Sequence, residues 1–196
     1  MAPTSSLRAR LALTSCATTG VLAATALLAP PGQAAVPEAA SSSYLRFTKY
    51  SPVDSRLTVV RHGKAVVTFR ASSGMVEKEC RRGRGWLPDG TYTLGHHHTA
   101  YDADLIKGYA IELGNKRCQN GTYRTELFIH SDMTRNGRQG TNGHQRWDGD
   151  GDYRSHGCIK LSPRDIRRLF RTLDRNGWPR TLKVVDGRSR PTVSGG

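Results

Sequence analysis

Apolar and polar residues begin to alternate at Tyr44, and the period of that alternation sketches most of a domain. SYLRFTKY (43–50) reads as a strand. RLTVVRHGKAVVTFRAS (56–72) holds two β-branched runs joined at His62-Gly63, the pattern of a hairpin. ECRRGRGWLPDGTYTLG (79–95) carries a Pro-Asp-Gly turn before a short strand at 91–94. GYAIELG (108–114), YRTELFIHS (123–131), HGCIKLS (156–162) and TLKVV (181–185) are further strands. Residues 135–154, RNGRQGTNGHQRWDGDGDYR, have no period and are rich in Gly, Asp and Asn, so they read as a long loop of the functional kind.

One helix interrupts the β pattern. Ser162 suits an N-cap, Pro163 the first helical position, and Asp165 the positive end of the helix dipole. Ile166, Leu169, Phe170 and Leu173 recur at i, i+3, i+4 and i+7 and define one buried face. Asn176-Gly177 ends it. The sum is a mainly β domain with one helix and no internal repeat.

Ahead of this domain the pattern changes. Arg8 and Arg10 precede an apolar stretch densest in VLAATALLA (21–29), followed by small residues, the order of a secretory signal peptide over residues 1–35. The run is too short for a membrane span. LTSC (13–16) resembles a lipoprotein cleavage box, but the main apolar run follows Cys16 where such a box needs it before. Residues 36–43 read as a flexible leader, 44–186 as the domain, and 187–196 as a loose tail. A mature chain of about 160 residues suits one domain with a real core, and none of it reads as transmembrane.

Charge and cysteines add to the picture. The net charge of +14 falls to +12 when the two arginines of the acid-free leader are removed. That balance favours a polyanionic neighbour, such as an anionic cell wall, and says nothing of fold. RRGRG (81–85) has no interleaved aromatics, so it reads as a solvated, wall-facing patch and not as a nucleic-acid motif. Loss of Cys16 leaves Cys80, Cys118 and Cys158 in a compartment where thiols oxidise. Cys80 and Cys118 sit in similar basic, glycine-containing loops and are expected to form a disulfide. Cys158 is then the odd, reactive thiol.

Cys158 has the neighbours a nucleophile needs. His130 ends the run ELFIH and can point into a site; His156, two residues before the cysteine, shares its face of a strand. Either can take the thiol proton or pair with the thiolate. Gly157 lets a substrate carbonyl approach, and the N–H groups around Gly157 and Cys158 can form an oxyanion hole. Other clusters are weaker. His96-His97-His98 alternate faces in a strand and cannot readily share one ion, so a loop or one rim contact to substrate is expected. Asp148, Asp150 and Asp152 imitate the start of a calcium loop, but Tyr153 replaces the obligatory Gly and no Glu closes it. Trp147 either covers the site or packs.

FIHS (128–131) followed by SHGCIKLS (155–162), with LPDGTYTLG (87–95) upstream, resembles the L,D-transpeptidase (YkuD) catalytic domain over most of residues 44–186. The resemblance implies a mainly β sandwich or barrel with one helix after the cysteine strand. It implies Cys158 as nucleophile, His130 as general base, the Ser131 carbonyl as its orienter, and His156, Gly157 and Ser155 as supporting residues. It implies 3→3 cross-linking of peptidoglycan stem peptides through a cysteine thioester by a secreted, wall-associated monomer, without metal or organic cofactor. Transfer to water instead would make an L,D-carboxypeptidase. The residues alone also admit a zinc hydrolase with His130, His156 and Cys158 as ligands, or a non-catalytic basic wall-binding module. Two features depart from the family pattern: the 24 residues between His130 and Ser155, and Lys160 where many members carry Arg or Asn.

Overall fold

The computed structural model describes residues 43–188. The expected signal peptide, nearly all of the expected leader and the expected tail beyond 188 lie outside the described residues. The strands are β1 (Tyr44–Lys49), β2 (Ser55–Arg61), β3 (Lys64–Ser73), β4 (Gly90–Asp102), β5 (Lys107–Leu113), β6 (Lys116–Arg117), β7 (Tyr123–Arg124), β8 (Leu127–His130), β9 (Ile159–Lys160) and β10 (Thr181–Asp186). One α-helix, α1 (Pro163–Asn176), is found among the described residues. Eight strands close into a barrel in the order β1-β10-β4-β5-β8-β9-β3-β2, with β6-β7 a separate ribbon. The mainly β fold with one helix after the cysteine strand is the architecture expected from the sequence.

Alternation places one side of each strand in the core. Leu45, Phe47, Leu57, Phe69, Ile111, Ile129, Ile159 and Leu182 are buried there together with Ile166, Leu169, Phe170 and Leu173 of α1. The helix begins as its sequence dictates: Ser162 Oγ accepts the Asp165 N–H at 3.1 Å, and Pro163 occupies the first turn. Gly177, at φ 85°, takes the chain out of it. Truncation of Leu169 or Phe170 to Ala would cost roughly 3–5 kcal/mol.

Three elements differ from the sequence pattern. Of the strand expected at 156–162 only Ile159–Lys160 forms, because residues 155–158 make a turn. β4 runs thirteen residues and includes His96–His98, which the pattern placed in a loop. Register shifts between Leu94 and His97 and between His98 and Tyr101 break its alternation, and a bulged strand shows no period of two. The run expected at 123–131 is two pieces, because Glu126 at φ 55° separates β7 from β8.

The parallel pair β8–β9 positions the site. Ile129 registers with Ile159 and His130 with Lys160. The two isoleucines face the core, so His130 and Lys160 project from the other face of the sheet. Cys158 directly precedes β9, two residues along the register from His130 and on the same face.

Candidate active site

A tight turn built around Ser155 delivers the cysteine. Ser155 Oγ donates to the Cys158 carbonyl at 2.6 Å and accepts N–H bonds from Gly74 at 2.9 Å and Gly157 at 3.1 Å. The hydroxyl is therefore a structural hub, with its hydrogen and both lone pairs in use. Ser73 Oγ holds the Gly157 carbonyl at 3.0 Å and takes the Leu87 N–H. Gly157 sits at φ 122°, and a Cβ there would lie 2.0 Å from Arg124 Nη2. Any side chain would be strained and would also displace the arginine. Its N–H is committed to Ser155, so it is not free for an oxyanion. His156 is exposed and contributes its carbonyl, which accepts from Arg124 at 3.4 Å.

Arg124 is the residue that sequence reasoning missed on this side. It is 3% exposed, and its guanidinium donates to the carbonyls of Glu79, Trp86 (3.1 Å), Gly85 (3.1 Å) and His156. No carboxylate pairs with it among the described residues. Nothing in YRTELFIHS distinguishes such an arginine from a solvated one.

The Cys158 thiol lies against the start of β8, with the Glu126 carbonyl 3.6 Å from Sγ. Burial pushes the thiol up to about 11, and the Phe128 backbone, Arg124 and Lys160 only partly oppose this. His130 Nδ1 lies 3.2 Å from the Ser131 carbonyl. A carbonyl can only accept, so Nδ1 carries the hydrogen and Nε2 the lone pair. Burial lowers the imidazole to about 4, Asp132 opposing and Lys160 assisting. At neutral pH the resting pair is thus thiol and imidazole, both uncharged, and not the ion pair that the sequence also allowed.

A second buried group stands beside His130. Asp132 Oδ1 is 3.9 Å from His130 Nδ1, and its other oxygen pairs with Lys160, both residues being almost fully buried. Lys160 also donates to the Arg154 carbonyl at 3.0 Å. Lys160 therefore neutralises an acid at the site. Trp147 donates its indole N–H to the Asp132 carbonyl at 2.8 Å and packs edge-on against Tyr153. The 135–154 segment contains two 3-10 turns, Gly143–Arg146 and Asp150–Tyr153. With Ala100 it lines an open cavity of about 680 Å³ that includes Arg135, Arg138, Asn142 and Gln145.

The remaining candidates disperse. Asp148 pairs with Arg146, Asp150 with Arg70 at 2.6 Å, and Asp152 caps the Gly149 N–H at 2.8 Å. Among the described residues no three His, Cys, Asp or Glu are arranged to hold a metal ion, and the zinc set of His130, His156 and Cys158 does not form. Cys80, Cys118 and Cys158 are all free thiols. The bridge expected between Cys80 and Cys118 is therefore open, although their sulfurs are hydrogen-bonding neighbours. No described helix is long and apolar enough to cross a membrane.

The chain belongs to the YkuD family, the L,D-transpeptidase catalytic domain, whose model matches residues 50–186. Its fold is similar to that of the helical cell shape determining protein Pgp2 from Campylobacter jejuni. The identity is 14% and the TM-score 0.52, over 79% of this chain and 53% of that one. An L,D-transpeptidase from Xylanimonas cellulosilytica also matches, at 18% identity and TM-score 0.42, over 76% of this chain and 63% of that one. So does the ertapenem-acylated catalytic domain of the E. faecium L,D-transpeptidase, at 17% and 0.39, over 74% and 98%. The chain spans less than two thirds of the Xylanimonas and Campylobacter chains. No curated protein matches it.

Proposed function

We propose that this protein is an exported peptidoglycan L,D-transpeptidase that forms 3→3 cross-links through a Cys158 thioester. The observation that carries the reading is the β8–β9 register. It sets a buried thiol two residues along the register, on the same face, from an imidazole whose Nδ1–H is taken by the Ser131 carbonyl. His130 Nε2 takes the thiol proton as Sγ attacks the carbonyl of the L-centre–D-Ala bond. The tetrahedral oxyanion forms at the Cys158 end of the turn. The imidazolium, stabilised by Asp132, gives its proton to the departing D-Ala amine. A side-chain amine of a second stem then attacks the thioester, an amide bond forms, and the thiol is regenerated.

A thiol near 11 beside an imidazole near 4 supports proton transfer concerted with attack, because neither charged form is populated beforehand. Export and anionic wall binding follow from the leader and the basic charge. After export a thiol oxidant outside the cell takes two electrons and two protons from the adjacent Cys80 and Cys118 and closes their disulfide, and the enzyme acts as a monomer.

The test is mass spectrometry of disaccharide-tetrapeptides incubated with the protein. Loss of D-Ala with appearance of 3→3 dimers, both abolished in Cys158→Ala, is the expected result. Trimming without dimers would make water the acceptor. Dimers from Cys158→Ala would overturn the assignment.

A further inference from the structure

The open face of the sheet beside Cys158 carries a group of residues that the donor half-reaction does not use. Directly opposed residues in neighbouring strands share a face. His98 registers with Ala110, Ala110 with His130, and His130 with Lys160. One step along, Glu112 registers with Phe128, and Phe128 neighbours Cys158. Glu112 and Cys158 are thus two strand spacings apart, about 10 Å between Cα atoms. His98, Tyr101, Glu112 and Phe128 are all half-buried. His98 Nε2 is 2.9 Å from Glu112 Oε1, the His98 and Tyr101 rings are 5.0 Å apart, and Tyr101 lies 5.4 Å from Phe128. Ala110 adds no bulk between them. Gly95 keeps the space over the carboxylate open, since a Cβ there would come within 3.0 Å of Glu112 Cβ and 3.3 Å of Oε2.

A carboxylate framed by aromatic faces is the recognition chemistry of an alkylammonium ion. It stands out in a protein of net charge +14. Lys160, on the same face, is already paired with Asp132. We propose that Glu112, His98, Tyr101 and Phe128 form the binding site for the acceptor's primary ammonium group. This rests on the reading of Cys158 as the thioester nucleophile. Glu112 holds the R–NH3+ group, His98, bonded to Oε1, fixes the carboxylate, and the bound ammonium loses one proton to solvent. The resulting R–NH2 attacks the thioester. The new C–N bond forms as the C–S bond breaks, and the second amine proton passes through His130 to the thiolate, restoring Cys158 as a thiol.

The partition of the acyl-enzyme between aminolysis and hydrolysis tests this. The donor is a disaccharide-tetrapeptide, and two acceptors are compared: Nα-acetyl-lysine, charged at neutral pH, and hydroxylamine, which is neutral there. In Glu112→Gln the transfer-to-hydrolysis ratio for Nα-acetyl-lysine should fall about tenfold, through a raised KM, with a much smaller change for hydroxylamine. Glu112→Asp should recover part of the loss. His98→Ala should raise KM for Nα-acetyl-lysine, by less than Glu112→Gln does. An unchanged ratio in Glu112→Gln, or equal losses with both acceptors, overturns the proposal. Failure of the wild-type protein to form any thioester overturns the underlying reading instead.

Discussion

Behind Cys158 the Ser155–Gly157 turn is pinned by Ser73, Gly74 and the buried Arg124, with the hydrogen and both lone pairs of the Ser155 hydroxyl in use. Beyond His130 the 135–154 segment is mostly exposed. It rests on side-chain bonds to backbone (Gln145 to Met133 at 3.1 Å, Trp147 to Asp132, Arg167 to Gly137 at 2.7 Å and Lys160 to Arg154 at 3.0 Å) and on the exposed Asp150–Arg70 pair. The nucleophile is held from a closed, desolvated side, whereas the base is walled by a segment that can be rearranged at small cost. The contrast suits a site that must aim one sulfur accurately while admitting a branched polymer. Substitutions in the two regions should therefore differ in kind: stability and acylation lost together on one side, substrate handling alone on the other.

The largest effect should come from Arg124→Met. It strips a charged donor from four buried carbonyls at once and costs about 4 kcal/mol, read as a lower midpoint in urea. Arg124→Lys should recover little, because one ammonium cannot span four acceptors arranged for a planar fork. Wild-type stability for Arg124→Met would break the comparison. Next is acid. Burial holds the His130 imidazole at about 4 against an ordinary value near 6.5. The unfolded chain therefore binds the proton first. The stabilising contribution is fully present above pH 6.5 and is lost as pH falls through about 4. It is on the order of 3 kcal/mol and should be absent from His130→Gln in the same titration. Ser155→Ala should cost about 2 kcal/mol, since two N–H groups and a carbonyl lose their partner. Its acylation rate should fall further than that stability loss explains, because the turn aims Sγ.

The same buried setting makes a chemical prediction at Cys158. A preformed ion pair would alkylate readily at pH 5 to 6. With burial holding the thiol near 11, the iodoacetamide rate should keep rising with pH toward that value. A plateau at low pH would mean that the ion pair exists after all.

What the sequence made legible was whatever has a period or a cap. The core strands and the Ser162-capped helix follow from apolar spacing, as do the existence of β8 and β9 though not their ends, and the Ser-His-Gly-Cys run marks the thiol. The bulged β4 was not legible, because register shifts erase alternation, and so His96–His98 read as a loop. Arg124 and Asp132 were not legible for a different reason. A buried charge and a solvated one look the same in sequence, and only tertiary neighbours distinguish them. Lys160 was noticed only as a departure, and its meaning needed the pairing with Asp132. Ser155 was assigned to the catalytic motif, while its observed bonds explain the position structurally, as a clamp on the turn.

The smallest predicted effect, at Trp147, sharpens the comparison most. Its indole N–H meets only a backbone carbonyl, and its ring packs on Tyr153 with the Lys160 ammonium 5.9 Å from its centroid. Trp147→Phe should therefore cost about 1 kcal/mol or less, within the range of an ordinary surface change. The carbonyl it releases belongs to Asp132, whose side chain lies between His130 and Lys160. If the segment serves as a wall and not as part of the base, KM for the stem peptide should rise while the acid limb of the kcat profile keeps its position. If that limb moves in Trp147→Phe, the wall and the base are coupled through Asp132, and the two regions are held less differently than their hydrogen bonds indicate.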